Sequence, residues 1–203
     1  MTSDLDLFWR TTRKLGLPSR RRKGLPPLLF FTDPARTPHP EAIVRRLPRG
    51  SGVVYRSFGA PDALETGRRL ARIASGRGVL MFVGADIGLA IAINAHGIHL
   101  PERLSRRSGV NSRLRGRFVL TAAAHGLRPA LRARRLGLDA IVVSAIFPSQ
   151  SPSAGPPLGP RRLAALVRSA KMPVYGLGGV NARTVKALTR TGVIGGAAVG
   201  GMS

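Results

Sequence analysis

From residue 26 onward, short apolar runs alternate with segments in which apolar residues recur every three or four positions, at intervals of roughly 20 to 30 residues. The runs fall at 27–33, 52–56, 79–84, 97–100, 118–122, 140–147, 173–177 and 196–199. Each is apolar almost throughout, as a strand must be when both of its faces are buried. Between them, 62–75 places Leu64, Leu70, Ala71, Ile73 and Ala74 mainly on one helical face and arginines on the other, and 159–170 repeats the pattern with Pro160 in the first turn. Strand and helix in strict alternation predict a parallel sheet. Eight strands joined by connections this short predict a single (β/α)8 TIM barrel, with a doubly wound sheet as the open alternative.

The ends of the pattern refine this picture. The sequence ends at Ser203, directly after the eighth run, so the barrel is expected with its last outer helix missing. The N-terminal segment, apolar at Leu5, Leu7, Phe8 and Trp9, is expected to pack there in compensation. Residues 1–25 read as a basic N-terminal extension, with Arg20 to Lys23 as a solvated linker, and 26–203 as the barrel domain. Two stretches read as loops: 148–160, rich in Pro, Ser and Gly at the C-terminal end of strand six, and the polar, basic 104–117 as a weak helix plus connection. In a barrel the C-terminal strand ends form the functional face.

A length of 203 residues suits one domain with a sizeable core, and 43% apolar against 21% charged residues is ordinary globular usage. Net charge is +24, carried by 33 basic residues of which four are lysine. Arginines spread along the chain read first as a compositional bias, although such a field draws in phosphorylated metabolites, anionic lipid or RNA. With no cysteine there is no disulfide, thiolate nucleophile or cysteine metal site. No signal-peptide pattern and no membrane-length apolar run is present, so the expected location is the cytoplasm.

Three segments in order carry a resemblance: GADIGLAIAINAHGIHLPERL at 84–104, VVSAIFPSQSPS at 142–153 and VYGLGGVNARTVKAL at 174–188. Together they resemble the thiamine phosphate synthase/TenI family, whose members carry a D-x-A-L-A helix followed by G-A-D-G-V-H-L, a G-x-x-F-P-T-x-T-K loop and an I-G-G-I turn, with spacing matched across about residues 26–201. The resemblance implies a β/α barrel, a phosphorylated thiazole or thiamine-type small molecule as partner, and one of two reactions. The synthase joins a pyrimidine diphosphate to a thiazole phosphate using magnesium. The TenI branch aromatises a thiazole precursor by moving a proton. Membrane and nucleic acid are not expected partners, and oligomeric state is left open.

Carried over residue by residue, the resemblance gives a mixed site. Arg56 stands at the strand-two arginine that steadies pyrophosphate, while Phe58 replaces its basic companion. Phe82 and Val83 are placed at the family's N-D pair, and Leu104 at its second metal carboxylate with Glu102 close by, so the magnesium ligands are not retained and no cofactor is expected. On the phosphate side, Gly178, Gly179, Gly200 and Gly201 match turns whose N–H groups bind phosphate, and glycine suits an anion nest through its freedom in φ; such pairs also simply make tight turns. Asn181 is expected to cap the next helix, whose dipole would add attraction. Ser149 and Ser151 stand at two threonines, as ligand donors or as ordinary turn residues, and Pro152 replaces the following lysine. His125 stands where TenI members carry a proton-transferring histidine, and imidazole suits that work near neutral pH; a structural role is equally open. His96 and His99 read as structural, His39 as an exposed loop residue, and Asp33 as either facing the barrel mouth or capping a turn. An enzyme of this pathway and an altered relative that only binds a phosphorylated ligand both remain open.

Overall fold

The computed structural model describes residues 3–15, 24–105, 114–149 and 155–199. Strands β1 (Leu28–Phe31), β2 (Gly52–Tyr55), β3 (Leu80–Gly84), β4 (Gly97–Leu100), β5 (Val119–Ala124), β6 (Ala140–Val143), β7 (Val174–Gly176) and β8 (Gly195–Ala198) pair in parallel, each with the next. Strand β8 returns to β1, with Ala197 opposite Leu29, and this closure excludes the doubly wound alternative. Helices α1 (Asp4–Arg13), α2 (Pro40–Arg46), α3 (Ala63–Arg77), α4 (Ile87–Ala92), α5 (Leu127–Arg135) and α6 (Gly159–Ala170) surround the strands.

Alternation along each strand separates two apolar layers. Leu29, Phe31, Val54, Phe82, Val142, Tyr175 and Ala197 fill the barrel, whereas Leu28, Phe30, Val53, Val83, Ile98 and Val143 face the helices. Phe82 has room inside the barrel because its partner on β4 is Gly97 and its ring edge lies over Gly52 of β2; a Cβ on Gly97 would collide with the Phe82 ring, and one on Gly52 would stand 3.3 Å from it. Tyr175 is fully buried and places its hydroxyl 2.7 Å from the Pro26 carbonyl, donating to it and closing the floor.

Helix α1 forms for local reasons. Ser3 Oγ accepts from the Asp6 N–H at 3.2 Å, Asp4 and Asp6 sit in the first turn, and Arg10 and Arg13 sit in the last. Its buried face, Leu5, Phe8 and Thr12, lies against β8, β1 and the turn before β8; a Cβ on Gly196 would stand 3.2 Å from Phe8 Cζ. Phe8→Ala is expected to lower stability by about 3 kcal/mol, read as a shift of the urea midpoint at constant slope, since Phe8 is 1% exposed and its loss leaves a cavity.

Two elements differ from the sequence pattern. The sixth apolar run continues to Phe147, but the strand ends at Val143, and Ile146 is buried in a loop where its N–H donates to Leu177 O at 2.9 Å. Apolar content there serves burial beneath the loop, which a run of letters cannot distinguish from a ladder. The helix expected after β7 is only a four-residue 3₁₀ turn, Val185–Leu188, so it supplies no helix-dipole attraction. Positions 106–113 lie outside the described residues.

Candidate functional site

The C-terminal strand ends gather most of the residues singled out from sequence at one mouth. Asp33 follows β1, Arg56 follows β2, Glu102 follows β4, His125 follows β5, and Gly178 and Gly179 follow β7. Ser149, half-buried, closes the described part of the loop after β6, whereas Ser151, Gly200 and Gly201 lie outside the described residues.

On the β1–β2 wall, Arg56 is held from three directions. Its backbone N–H donates to Thr32 Oγ1 at 3.0 Å, its Nε to Thr32 O at 2.7 Å, and its Nη2 to Asp33 Oδ2 at 3.2 Å. The guanidinium carbon lies 5.7 Å from the Phe31 ring centroid and 5.1 Å from that of Phe58. Burial pulls its pKa below the ordinary arginine value, opposed by the Asp33 charge. Asp33 does both things open to it: Oδ2 pairs with Arg56, while Oδ1 accepts from the N–H groups of Ala35 and Arg36 at 3.1 and 3.2 Å and fixes the turn.

Below this wall, inside the barrel, His99 Nδ1 shares a 3.0 Å hydrogen bond with the Thr121 hydroxyl, and its ring meets Phe31 edge-on at 4.9 Å. Burial, aided by the Arg56 charge, lowers its pKa to about 3, so it is a neutral core residue. His96 is structural as well, with Nε2 3.2 Å from Gly24 O, and His39 is exposed at the start of α2.

His125 is exposed at the mouth. Its Nδ1 lies 3.2 Å from the Ser144 carbonyl oxygen, and a carbonyl can only accept, so Nδ1 carries the hydrogen and Nε2 holds the lone pair of the neutral ring. Its backbone N–H donates to Glu102 Oε2 at 3.3 Å. From sequence, Glu102 reads only as a neighbour of the metal position; its contact with His125 crosses from β4 to β5 and has no signature in residue spacing.

The glycine turn is built against the loop after β6. Gly178 and Gly179 have φ of +89° and +65°, a region open to glycine at little cost. Phe147 N–H donates to Gly178 O at 2.9 Å, and Thr184 Oγ1 donates to Gly179 O at 2.8 Å. Asn181 Oδ1 accepts from the N–H groups of Arg183 and Thr184 at 2.9 and 3.2 Å, so the expected cap is present although the helix is not. The carbonyls of the turn are thus used by the protein, while among the described residues the N–H groups of Gly178, Gly179 and Val180 meet no protein acceptor. Successive N–H groups left without a protein acceptor suit an anion.

The positions assigned to metal ligands carry no oxygen donors. Val83 is fully buried on the outer face of β3 and not at the mouth, which corrects its placement at the N-D pair; strand alternation brings Gly84 and then Ala85 there instead. Leu104 packs against the outer apolar layer. Asp86 Oδ1 caps α4 by accepting from the Leu89 N–H at 2.8 Å. Among the described residues no three His, Asp or Glu side chains gather to hold a cation. This donor set does not fit a magnesium ion bridging two carboxylates and a diphosphate.

Comparison with known proteins follows the same lines. A family model described as thiamine monophosphate synthase matches residues 28–202. Thiamine-phosphate synthase of Pyrococcus horikoshii is 28% identical over 176 residues, covering 83% of this chain and 82% of that protein. The enzyme of the same name from Roseiflexus is 31% identical over 142 residues, covering 67% and 58%. Among solved structures, thiamine phosphate pyrophosphorylase from Pyrococcus furiosus superposes with a TM-score of 0.74 at 25% identity, covering 93% of this chain and 87% of that one. No helix among the described residues is long and apolar enough to cross a membrane. Closed barrel, matched segments and family model agree: the chain belongs to the thiamine monophosphate synthase family.

Proposed function

We propose that the barrel mouth binds a phosphorylated thiazole or thiamine-type molecule without magnesium, and that His125 moves a proton on the bound ring. The observation that carries this reading is the His125–Ser144 hydrogen bond, which leaves Nε2 as the basic atom of an exposed imidazole. The loop after β6 touches both halves of the site: its Ser144 carbonyl orients His125, and its Phe147 N–H holds the glycine turn whose free N–H groups receive the phosphate. A ligand anchored there brings its ring to the mouth beside His125. Nε2 takes a proton from a ring-precursor carbon, and the imidazolium returns one to another atom of the same molecule; this isomerisation neither adds nor removes atoms or electrons.

Calorimetric titration with thiazole phosphate and with thiamine phosphate, with magnesium present or chelated, tests the binding half. Micromolar affinity indifferent to magnesium is expected; binding of neither ligand, or binding that requires the metal, overturns the reading. His125→Ala is expected to slow proton exchange into the ring, followed by NMR in heavy water, by about a hundredfold or more while changing affinity less than about threefold. A second reading, a binding protein without chemistry, is favoured by the way Arg56 is tied to Thr32 O and Asp33, which leaves it holding the wall together and not reaching for a reacting group. Wild-type protein that binds but exchanges no proton would select it.

A further inference from the structure

We infer that Phe58 is a stacking platform for the ring of the bound ligand, so that the mouth selects an aromatic monophosphate where a basic residue would select a diphosphate. This rests on the proposed phosphate site and extends it to the other side of the mouth. Phe58 is 69% exposed, against 44% for Ile91, the next most exposed large apolar residue among those described. A lone apolar side chain on a surface is ordinary. This one stands at the functional end of β2, two residues beyond Arg56, where its sequence neighbours give no reason for an aromatic ring.

The backbone holds it there against its own preference. Phe58 has φ of +50°, an uncommon conformation for a bulky residue, followed by Gly59 at +80°, in a turn closed by the Ala60 N–H donating to Ser57 O at 3.0 Å. Behind the ring is a fixed cation. The Arg56 guanidinium lies 5.1 Å from the Phe58 centroid and 5.7 Å from that of Phe31, and it cannot swing away while Nε and Nη2 are bonded to Thr32 O and Asp33 Oδ2. Phe31, Arg56 and Phe58 therefore form a built stack whose outermost member is open to ligand.

Charge on this wall selects the ligand class. A diphosphate needs more than one cationic charge to spare, whereas here Arg56 and Arg36 share the single Asp33 carboxylate at 3.2 and 3.6 Å, leaving one net positive charge, and the position of a second basic group on β2 is the Phe58 ring itself. What such a wall recognises is a planar heteroaromatic ring, through π contact reinforced by the cation behind. Its phosphate lies on the β7 turn.

Phe58→Ala, Phe58→Leu and Phe58→Tyr in the full chain, titrated with thiazole phosphate and with inorganic phosphate, test this. Because the ring is mostly exposed, all three are expected to melt within a few degrees of the wild type. The wild type should prefer thiazole phosphate over inorganic phosphate, and both Ala and Leu should weaken thiazole phosphate about tenfold, leave inorganic phosphate unchanged, and lose the upfield shift of the ligand ring protons, with Tyr retaining all three properties. Equal affinity of the wild type for the two probes, or unchanged thiazole phosphate binding in Ala and Leu, overturns the platform and leaves the anion site intact. Binding of neither probe by the wild type overturns the phosphate site and the platform with it.

Discussion

Gly179→Ala is expected to abolish measurable phosphate-ligand binding and to lower stability by about 4 kcal/mol. A Cβ at this position would fall on the Pro148 carbonyl oxygen, well inside contact distance, and 2.7 Å from Phe147 Cβ. Neither neighbour can rotate aside, because one is backbone and the other is the first atom of a side chain whose own N–H is bonded to Gly178 O. The φ of +65° adds strain for any residue with a Cβ. Relief requires the loop after β6 to move, and that loop also carries the Ser144 carbonyl that orients His125, so binding and proton transfer fall together. Gly76→Ala is the control: Gly76 lies exposed within α3, a Cβ there would meet nothing within 4 Å, and alanine should be neutral or stabilise by up to about 1 kcal/mol. Calorimetry and urea unfolding on both variants check the pair. Wild-type affinity in Gly179→Ala would show that the glycine turn is not the anion site.

How far the sequence reached depends on which interactions are local. All eight strands were legible because burial on both faces leaves a continuous apolar run, and the long α3 because its apolar stripe over 62–75 is regular; the helix itself runs on to Arg77 and stops at Gly78, whose φ is +65°. His125 and the glycine pair were placed at the mouth simply by following the last residue of a strand. Their partners were not legible: Ser144 is 19 residues from His125, and Pro148 and Phe147 about thirty from Gly179, brought together only by barrel closure. The Val83 assignment failed by the same limit, since alternation gives two faces but does not say which residue of a run reaches the mouth. Phe58 was visible only as a missing basic residue; its stack on Arg56 needed the geometry of the turn.

Acidification is expected to cost the fold about 3 kcal/mol between pH 7.5 and 4 through His99 alone. The imidazole is 8% exposed, wedged between Phe31 and Thr121, and its pKa is lowered to about 3. In the unfolded chain the same group titrates near 6.5. Between those values the unfolded state binds a proton that the folded state refuses, so the contribution is fully present above about pH 7, is lost as pH falls toward 3, and levels off once both states are protonated. His99→Asn removes the titration while keeping a hydrogen-bonding side chain toward Thr121; it should be somewhat less stable at pH 7.5 and should lose about 3 kcal/mol less than the wild type on moving to pH 4, measured by urea unfolding at both values. Equal losses in the two proteins would mean that His99 is reached by water or protonated in the fold. Arg56→Met separates the two causes of the shift. Burial is the larger, so removing the charge above His99 should leave most of the acid sensitivity in place, and a variant that loses it altogether would show that Arg56, and not the dry barrel interior, keeps this histidine neutral.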